Sequence, residues 1–129
     1  MLTILKRHLK ELVENTGTIR AAAFADYDGH ALASYPDSAQ AEMEHCAIYG
    51  GIALRRLSAA ERLALRSPVK ALTMQGPEGA FATHAVAHRY QLVVTMDGCY
   101  AGREHQQTLE QAALELCAVV DAEPQNAVR

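Results

Sequence analysis

The first residues whose spacing suggests metal chemistry are two histidines four positions apart, His84 and His88. On a strand they share a face, but about 13 Å of chain separates them at roughly 3.3 Å per residue. Zinc holds an imidazole nitrogen at about 2.0–2.1 Å, so both can bind one ion only where the chain bends between them. We therefore interpret them as surface or rim histidines and predict no metal site.

The sequence offers little for covalent catalysis. Cys99 falls in a predicted loop and is the one thiol placed to react, and a Cys99–His105 pair stays open as an alternative, although no motif brings the two together. Cys46 and Cys117 fall in apolar helical patterns and are interpreted as small core residues. The phosphate loop GxxxxGK(S/T), a GxGxxG after a strand and the GxSxG nucleophile elbow are all missing. We predict no catalytic residues, no cofactor and no enzyme activity.

Composition narrows the class of protein further. The chain has 129 residues, of which 50% are hydrophobic and 21% charged, as in an ordinary globular domain. A formal net charge of −3 leaves no positive surplus for a phosphate backbone, so we expect no nucleic-acid partner. No apolar run approaches the roughly 20 residues that span a bilayer, so we expect no membrane insertion. An early-charged N-terminus and three scattered cysteines predict a cytoplasmic protein with reduced thiols.

The elements that must position these residues follow one another without a linker, which predicts a single domain. Strands joined by short loops pair antiparallel, because a parallel pair needs a crossover of about a dozen residues or more. The predicted fold is α+β: a five-stranded antiparallel sheet with helices on its faces. We expect one domain over 1–129, with a core at 2–122 and a polar tail at 123–129. The first helix is expected to begin near Leu2 and to stop at Asn15-Thr16-Gly17, and the other two helices are expected over about 38–65 and 103–122. Strands are expected over 19–26, 30–35, 69–75, 80–87 and 92–96.

The second helix has more apolar surface than one sheet can cover. At 100° per residue, a stripe that includes Met43 and Ala47 falls on one side, while Ile48 and Ile52 fall nearly opposite. A helix that is apolar most of the way round needs cover on both sides, and this chain is too short to supply both. Because homo-oligomers are usually twofold dimers with self-matching patches, we predict a homodimer.

Gly50 and Gly51 lie within this helix, where each costs roughly 1 kcal/mol relative to alanine. Two explanations are open. The glycines either admit the backbone of a second copy or let the helix lie close to its own sheet. We favour the second copy, because Ile48 and Ile52 also call for a partner.

Several short motifs recur in one order along nearly all of residues 2–122, and each is weak by itself. They are Thr16-Gly17 after the first helix, Asp28-Gly29-His30-Ala31-Leu32-Ala33, Gly76 and Gly79 in a hairpin, Leu92-Val93-Val94, and Gly102-Arg103 before the last helix. In this order and spacing the chain resembles the Roadblock (dynein light chain) family. The likeness is strongest to its stand-alone bacterial members, which regulate Ras-like small GTPases.

The resemblance implies a profilin-like sheet with the second helix on one face and the terminal helices on the other. It also implies a homodimer in which second helices pack together and third strands pair edge to edge. A Ras-like small GTPase would dock on the paired second helices, and the protein would position the GTPase's own catalytic groups without an arginine finger. The residues predicted at the dimer or partner interface are Met43, Ala47, Ile48, Gly50, Gly51, Ile52, Arg55, Arg56, Val69, Ala71 and Thr73.

Several alternative interpretations of the interface residues and of the function are compatible with the sequence. Arg55 and Arg56 are either partner contacts or solvated helix surface. The second hypothesis is a scaffold dimer that bridges partners and leaves hydrolysis unchanged. A small-ligand sensor requires a sizeable apolar pocket, for which a chain with no tryptophan and two phenylalanines supplies little aromatic lining. An enzyme using Cys99 or the histidines is the remaining alternative.

Overall fold

The computed structural model describes residues 2–60, 70–77, 79–87, 89–97 and 103–122. Three helices and five strands follow in the order αββαβββα, with one 3-10 turn before the second helix. None of the described helices combines the length and apolarity needed to cross a membrane. The elements are α1 (Leu2–Asn15), β1 (Ile19–Asp26), β2 (Ala31–Tyr35), the 3-10 turn (Asp37–Ala39), α2 (Gln40–Ala60), β3 (Ala71–Gln75), β4 (Gly79–Val86), β5 (Tyr90–Asp97) and α3 (Arg103–Ala122).

The five strands form one antiparallel sheet in the order β2-β1-β5-β4-β3. This confirms the predicted fold class and element order. Chain-adjacent strands form hairpins at both ends, and β1 and β5 join the two hairpins in the middle of the sheet. The edges of the sheet are therefore β2 and β3, each paired on one side within this chain.

The predicted boundaries differ from the observed ones mainly around α2. The helix expected from Ser38 begins instead with the 3-10 turn, and its expected end near Leu65 lies outside the described residues. Strand β3 was expected from Val69, which also lies outside them. Strand β5 was expected from Leu92 but begins at Tyr90, so Gln91 belongs to the sheet and not to a connection.

The main hydrophobic core lies between the sheet and the pair α1 and α3. Large side chains fill it, with Phe24 of β1 at its centre and stacked on Tyr90 at a centroid distance of 5.0 Å. The helices contribute one leucine-rich stripe each, as their 3.6-residue periodicity predicts. Its buried members are Leu5, Leu9, Leu12, Ile19, Ala22, Phe24, Ala82, Val86, Leu92, Val94, Met96, Leu109, Ala113 and Leu116.

The opposite face of the sheet carries α2 on a core of small residues. Ala21, Ala23 and Ala25 of β1 point to this face and pack with Met43 and Ala47 of the helix. Alanine favours helix over strand, but β1 is paired on both sides and buried on both faces. Tertiary burial therefore overrides local propensity in this strand, and the small side chains bring α2 close to the sheet.

Candidate functional site

The helix α2 rests on the sheet through one stripe of its surface. Met43 and Ala47 are fully buried and pack against the sheet, and Leu54, nearly fully buried, falls on the same stripe of the helix. This stripe has the spacing that the sequence predicted, and the structure shows which side of the helix the sheet covers. Met43 and Ala47, which were predicted at a dimer or partner interface, are thus buried within their own chain.

Gly50 and Gly51 bring α2 against other parts of the same chain. A Cβ on Gly51 would lie 2.0 Å from the carbonyl oxygen of Tyr27, and one on Gly50 would lie 2.6 Å from Oε1 of Gln91. Neither position has room for a side chain while the helix keeps its place. The glycines let the helix lie close to its own sheet and turn, which is the second of the two explanations that the sequence left open.

A buried amide fixes the helix in this position. Gln91 is fully buried, and its Nε2 donates hydrogen bonds to the carbonyl oxygens of Ala47 (2.8 Å) and Asp26 (2.9 Å). Its Oε1 accepts a hydrogen bond from the hydroxyl of Thr83 at 2.6 Å. Both amide N–H groups and the amide oxygen thus have partners, which removes the cost of burying them. Gln91 was not predicted as a site residue, because it was expected in the connection between the strands at 80–87 and 92–96.

The turn between β1 and β2 is organised by the carboxylate of Asp26. Its Oδ1 accepts hydrogen bonds from the backbone N–H groups of Asp28 (3.0 Å) and His30 (2.9 Å), and its Oδ2 lies 3.2 Å from Nδ1 of His30. Burial acts to raise the pKa of Asp26, but the His30 and Asp28 hydrogen bonds and the charge of His30 outweigh it and hold that pKa below its ordinary value. Gly29 has a φ of +96°, which suits glycine at this turn.

This turn is attached to α2 by side chains. Nη2 of Arg55 donates a hydrogen bond to Oδ1 of Asp28 at 2.6 Å. Ile48 packs against Gly29 so closely that a Cβ on the glycine would lie 2.3 Å from Cγ1 of Ile48. Together with the close approach of Gly51 to the Tyr27 carbonyl, these contacts make the turn and the helix one continuous surface. Arg55 is thus engaged within its own chain, an arrangement that neither sequence alternative foresaw.

The outer side of α2 remains open and apolar. Ile48, Tyr49 and Ile52 are 43%, 53% and 44% exposed, measured over the whole residue. The ring of Tyr49 lies 5.5 Å from that of His45, and Arg56 is exposed one turn after Ile52. A cluster of large exposed apolar residues on one helix is typical of an interaction surface. Ile48, Ile52 and Arg56 therefore lie where a partner can reach them.

Beside α2, the edge strand β3 is also open. Met74 is 40% exposed, and it lines a surface depression together with Phe81 of β4 and Cys46 of α2. Burial and nearby Glu42 raise the pKa of the Cys46 thiol, which keeps it protonated. The predicted interface residues Ala71 and Thr73 are exposed on this strand, whereas Val69 lies outside the described residues. Among the described residues no strand pairs with the outer edge of β3, and this edge continues the exposed surface of α2.

The candidates for metal or covalent chemistry are not brought together within the described residues. Nδ1 of His84 lies 3.0 Å from the carbonyl oxygen of Ala85, whereas His88 and Cys99 are outside the described residues. His105 contacts the hydroxyl of Thr18 through Nε2.

Asp26, Asp28 and His30 place ligand atoms within 4.8 Å of one another, close enough to share an ion. Asp26 already accepts hydrogen bonds from the turn, and Asp28 is bound by Arg55. The arrangement supports a stable turn as the role of these residues.

A second depression lies on the other side of β3, beneath the start of α3. It is an open groove of about 630 Å³, bounded by β3 and β4 and by Gln106, Leu109 and Glu110 of α3. Its size falls in the range of small-ligand sites, which are usually more enclosed. Since β3 forms one wall, a second copy paired at that edge would border the groove.

Solved structures with the same fold identify the architecture. MglB from Myxococcus xanthus superposes with a TM-score of 0.80 at 14% identity, covering 94% of this chain and 90% of that one. The chain has the fold of the Roadblock/LC7 domain. A Roadblock/LC7 domain from Streptomyces avermitilis gives a TM-score of 0.75 at 13% identity, over 89% of this chain and 96% of the other. The resemblance seen in the sequence is thereby confirmed at the level of fold.

The wider fold class is also shared with profilins. Profilin II from Acanthamoeba castellanii superposes with a TM-score of 0.62 at 11% identity, covering 88% of this chain and 97% of that one. No family model and no curated protein matches the sequence. The structural likeness therefore establishes the fold. Because one fold hosts many functions, the function depends on the surface of α2 and β3.

Proposed function

We propose that this protein is a non-catalytic, cytoplasmic homodimer that binds a Ras-like small GTPase and stimulates its GTP hydrolysis. The observation that carries the proposal is the open apolar surface of α2, formed by Ile48, Tyr49 and Ile52, beside the unpaired edge of β3. On a Roadblock fold, that surface corresponds to the region through which the family resemblance implies dimerisation and GTPase docking. Both kinds of contact bury apolar area that a monomer leaves in water.

The proposed dimer would form through the exposed edge of β3. An exposed edge strand presents unpaired N–H and C=O groups, and a second copy of the same strand satisfies them. Met74 and Cys46 lie beside this edge, so pairing would also cover apolar surface on the α2 side of the sheet. A solved MglB structure of the same fold is described as having a tetrameric arrangement, with a TM-score of 0.78 at 17% identity, over 94% of this chain and 90% of that one. Self-association is thus known for one protein with this fold.

The effect on hydrolysis would come from positioning. GTP hydrolysis depends mainly on placing the attacking water and the charges around the γ-phosphate, so a partner that orders the GTPase's own groups accelerates it. The described residues bring no catalytic constellation together, and the exposed Arg56 lies one turn after the exposed Ile52 on α2. The surface therefore suits a docking role better than a role in bond breaking.

The test is single-turnover GTP hydrolysis by Ras-like GTPases from the same genome, with and without this protein. We expect a stable complex with one of them and an acceleration of about tenfold or more, equivalent to about 1.4 kcal/mol of barrier. Ile52→Glu should abolish both effects, because it places a charge in an apolar contact. Leu114→Glu is the matched control, since Leu114 is an exposed apolar residue on α3 at the opposite face.

The results distinguish regulation from scaffolding. A complex that forms without any change in hydrolysis would select the scaffold alternative. If none of the GTPases binds and none is accelerated, the regulatory proposal is rejected.

A further inference from the structure

The outer edge of β2 is a place where a strand from another chain can join the sheet. In the described part of the chain β2 pairs only with β1, so alternate residues of β2 direct their N–H and C=O groups away from the sheet. Apolar side chains lie at the same place, since Leu32 belongs to this strand and Leu2 of α1, 57% exposed, lies beside it. Unpaired backbone groups next to apolar surface favour the addition of a strand.

An open depression of about 250 Å³ runs along this edge. Residues 31–34 of β2 line it and none of the described residues of β1 does, which places it on the outer side of the strand. Leu2 and Lys6 of α1 form one side of the depression, and Asp37 and Gln40 form the other. A strand approaching the backbone of β2 would have to occupy this space.

An ion pair crosses the depression. Nζ of Lys6 donates a hydrogen bond to Oδ1 of Asp37. Lys6 belongs to α1, which packs on the main hydrophobic core, whereas Asp37 begins the 3-10 turn whose Ala39 packs against the core of small residues under α2. These cores lie on opposite faces of the sheet. Because both charged residues border the depression, the pair passes around the outer edge of β2.

The two charges oppose the addition of a strand. The side chains of Lys6 and Asp37 are 46% and 79% exposed, so water solvates both charges. At such exposure the ion pair itself contributes little to stability. A strand seated in the depression would remove that water, and a buried charge costs more free energy than a few backbone hydrogen bonds return. The pair therefore acts by its position at the edge and not by its strength.

The short length of β2 limits what an added strand can gain. The strand has five residues, and Pro36 follows its last residue, Tyr35. Proline has no backbone N–H, so it cannot continue the ladder of hydrogen bonds. Since only alternate residues face outward, about two or three residues of β2 can bond to a new strand. Two charges are thus sufficient to outweigh this gain.

The other edge of the sheet has no comparable protection. Strand β3 contains no charged residue, and none of the ion pairs among the described residues involves it. A dimer paired at β3 would carry one β2 edge at each end of its combined sheet. If those edges also paired, the sheet would continue from dimer to dimer without closing.

We propose that Lys6 and Asp37 close the β2 edge, so that sheet pairing between copies stops at the β3 edge. Without the two charges, β2 of a second copy would occupy the depression, because identical strands related by a twofold axis pair antiparallel and present the same groups to each other. This role of Lys6 and Asp37 goes beyond the proposed function, and testing it requires no GTPase.

The test is sedimentation velocity over a concentration series, with wild type and the neutral double variant Lys6→Gln with Asp37→Asn. This variant keeps polar side chains at both positions and removes both charges. Its weight-average mass should exceed that of wild type by about twofold or more at the highest concentration, because each added copy leaves a further edge open. The exchanged variant, Lys6→Asp with Asp37→Lys, keeps a cation and an anion beside the edge and should match wild type.

The matched control removes a different ion pair of the same helix. His8 of α1 lies 3.6 Å from Glu115 of α3, so His8→Ala with Glu115→Ala loosens α1 without opening β2. This control should keep the mass of wild type. Circular dichroism, and reversal of the association on dilution, distinguish strand addition from aggregation of unfolded chains. Lys6→Ala with Asp37→Ala is a second neutral variant if the first does not fold.

Amide hydrogen exchange locates the new contact. In the neutral variant, exchange over residues 31–35 should slow as concentration rises, because the outward N–H groups of β2 gain partners. In wild type the same residues should exchange at a rate that does not depend on concentration.

Three results would overturn the proposal. They are a neutral variant with the mass of wild type at every concentration, association without slower exchange in β2, and equal association of the exchanged variant. If wild type is a monomer, the proposed dimer fails, and the neutral variant should then form dimers in place of longer assemblies. The role of Lys6 and Asp37 is decided in either case.

Discussion

The two faces of the sheet are built from side chains of opposite size. Strand β1 shows the contrast within a few residues, because Phe24 points into the α1 and α3 core while Ala23 and Ala25 point toward α2. On the first face leucines, valines and methionine fill the space between sheet and helices. On the second, alanines and the glycines of α2 let backbone approach backbone.

The difference shows that one face of the sheet supplies most of the stability, whereas the other face sets the position of α2. Large buried side chains remove most apolar area from water, so the α1 and α3 face carries most of the hydrophobic stabilisation. The α2 face buries less but fixes the helix through close contact at Gly51 and the hydrogen bonds of Gln91. The face that presents the candidate binding surface is thus held by close backbone contacts and buried hydrogen bonds.

The largest effect should come from the large-residue face. Phe24→Ala removes a fully buried ring and should lower the free energy of unfolding by about 3–5 kcal/mol. Its neighbour on the other face, Ala23→Gly, should cost only about 0.5–1 kcal/mol, through backbone entropy. Urea titration followed by circular dichroism measures both. Similar losses for the two variants would contradict the division between the faces.

The next effect tests close approach on the α2 face. Gly51→Ala should destabilise the protein by about 1–3 kcal/mol, since the new methyl group would collide with the Tyr27 carbonyl. In an ordinary helix interior the same change would stabilise by roughly 1 kcal/mol. Gly17→Ala is the control, because nothing lies within 4 Å of a Cβ there. A gain in stability for Gly51→Ala, measured by urea titration, would refute the close contact.

The buried amide should have a somewhat smaller effect on stability. Gln91→Leu leaves the Thr83 hydroxyl and the Asp26 carbonyl without their partner and should cost about 1–2 kcal/mol. Amide hydrogen exchange in the middle of α2 should accelerate more than exchange in α1. Equal acceleration in the two helices would mean that Gln91 supports the whole fold and not the placement of α2.

The smallest effect concerns pH and the β1–β2 turn. Because the folded-state pKa of Asp26 is lowered, its ionised form stabilises the protein above the ordinary pKa of about 3.9, and this contribution is lost as pH falls through the lower folded value. Asp26→Asn should therefore reduce the loss of stability on acidification. Urea midpoints at pH 7 and pH 3 for both proteins measure the difference. An unchanged difference would show that the carboxylate does not hold the turn.

Much of the architecture was predictable because local pattern and topology agreed. The 3.6-residue spacing of leucines predicts the helices α1 and α3. The short connections between strands predict an antiparallel sheet. The Asp28-Gly29 pair correctly marked the first hairpin. Even the alanine-rich β1 was assigned correctly, against its helix propensity, because the turn signals bounded it.

The candidate site was less predictable because it depends on residues distant in sequence. Gln91 and Ala47 are 44 positions apart, and Arg55 and Asp28 are 27 apart, so neither bond has a local signature. Gly50 and Gly51 indicated that something approaches the helix closely, but the sequence could not identify which part of the same chain does so. The Tyr27 carbonyl makes that approach at Gly51.

The sequence by itself determined the order of elements, the fold class and the presence of surplus apolar surface on α2, since these follow from periodicity and turn residues. Only the tertiary structure decided which stripe of α2 meets the sheet, that Arg55 holds Asp28, and that Ile48 packs against Gly29. The physical reason is that a helical pattern specifies how side chains are spaced around an axis. The rotation of that axis on the sheet is set by packing and buried hydrogen bonds, which join residues that the sequence keeps apart.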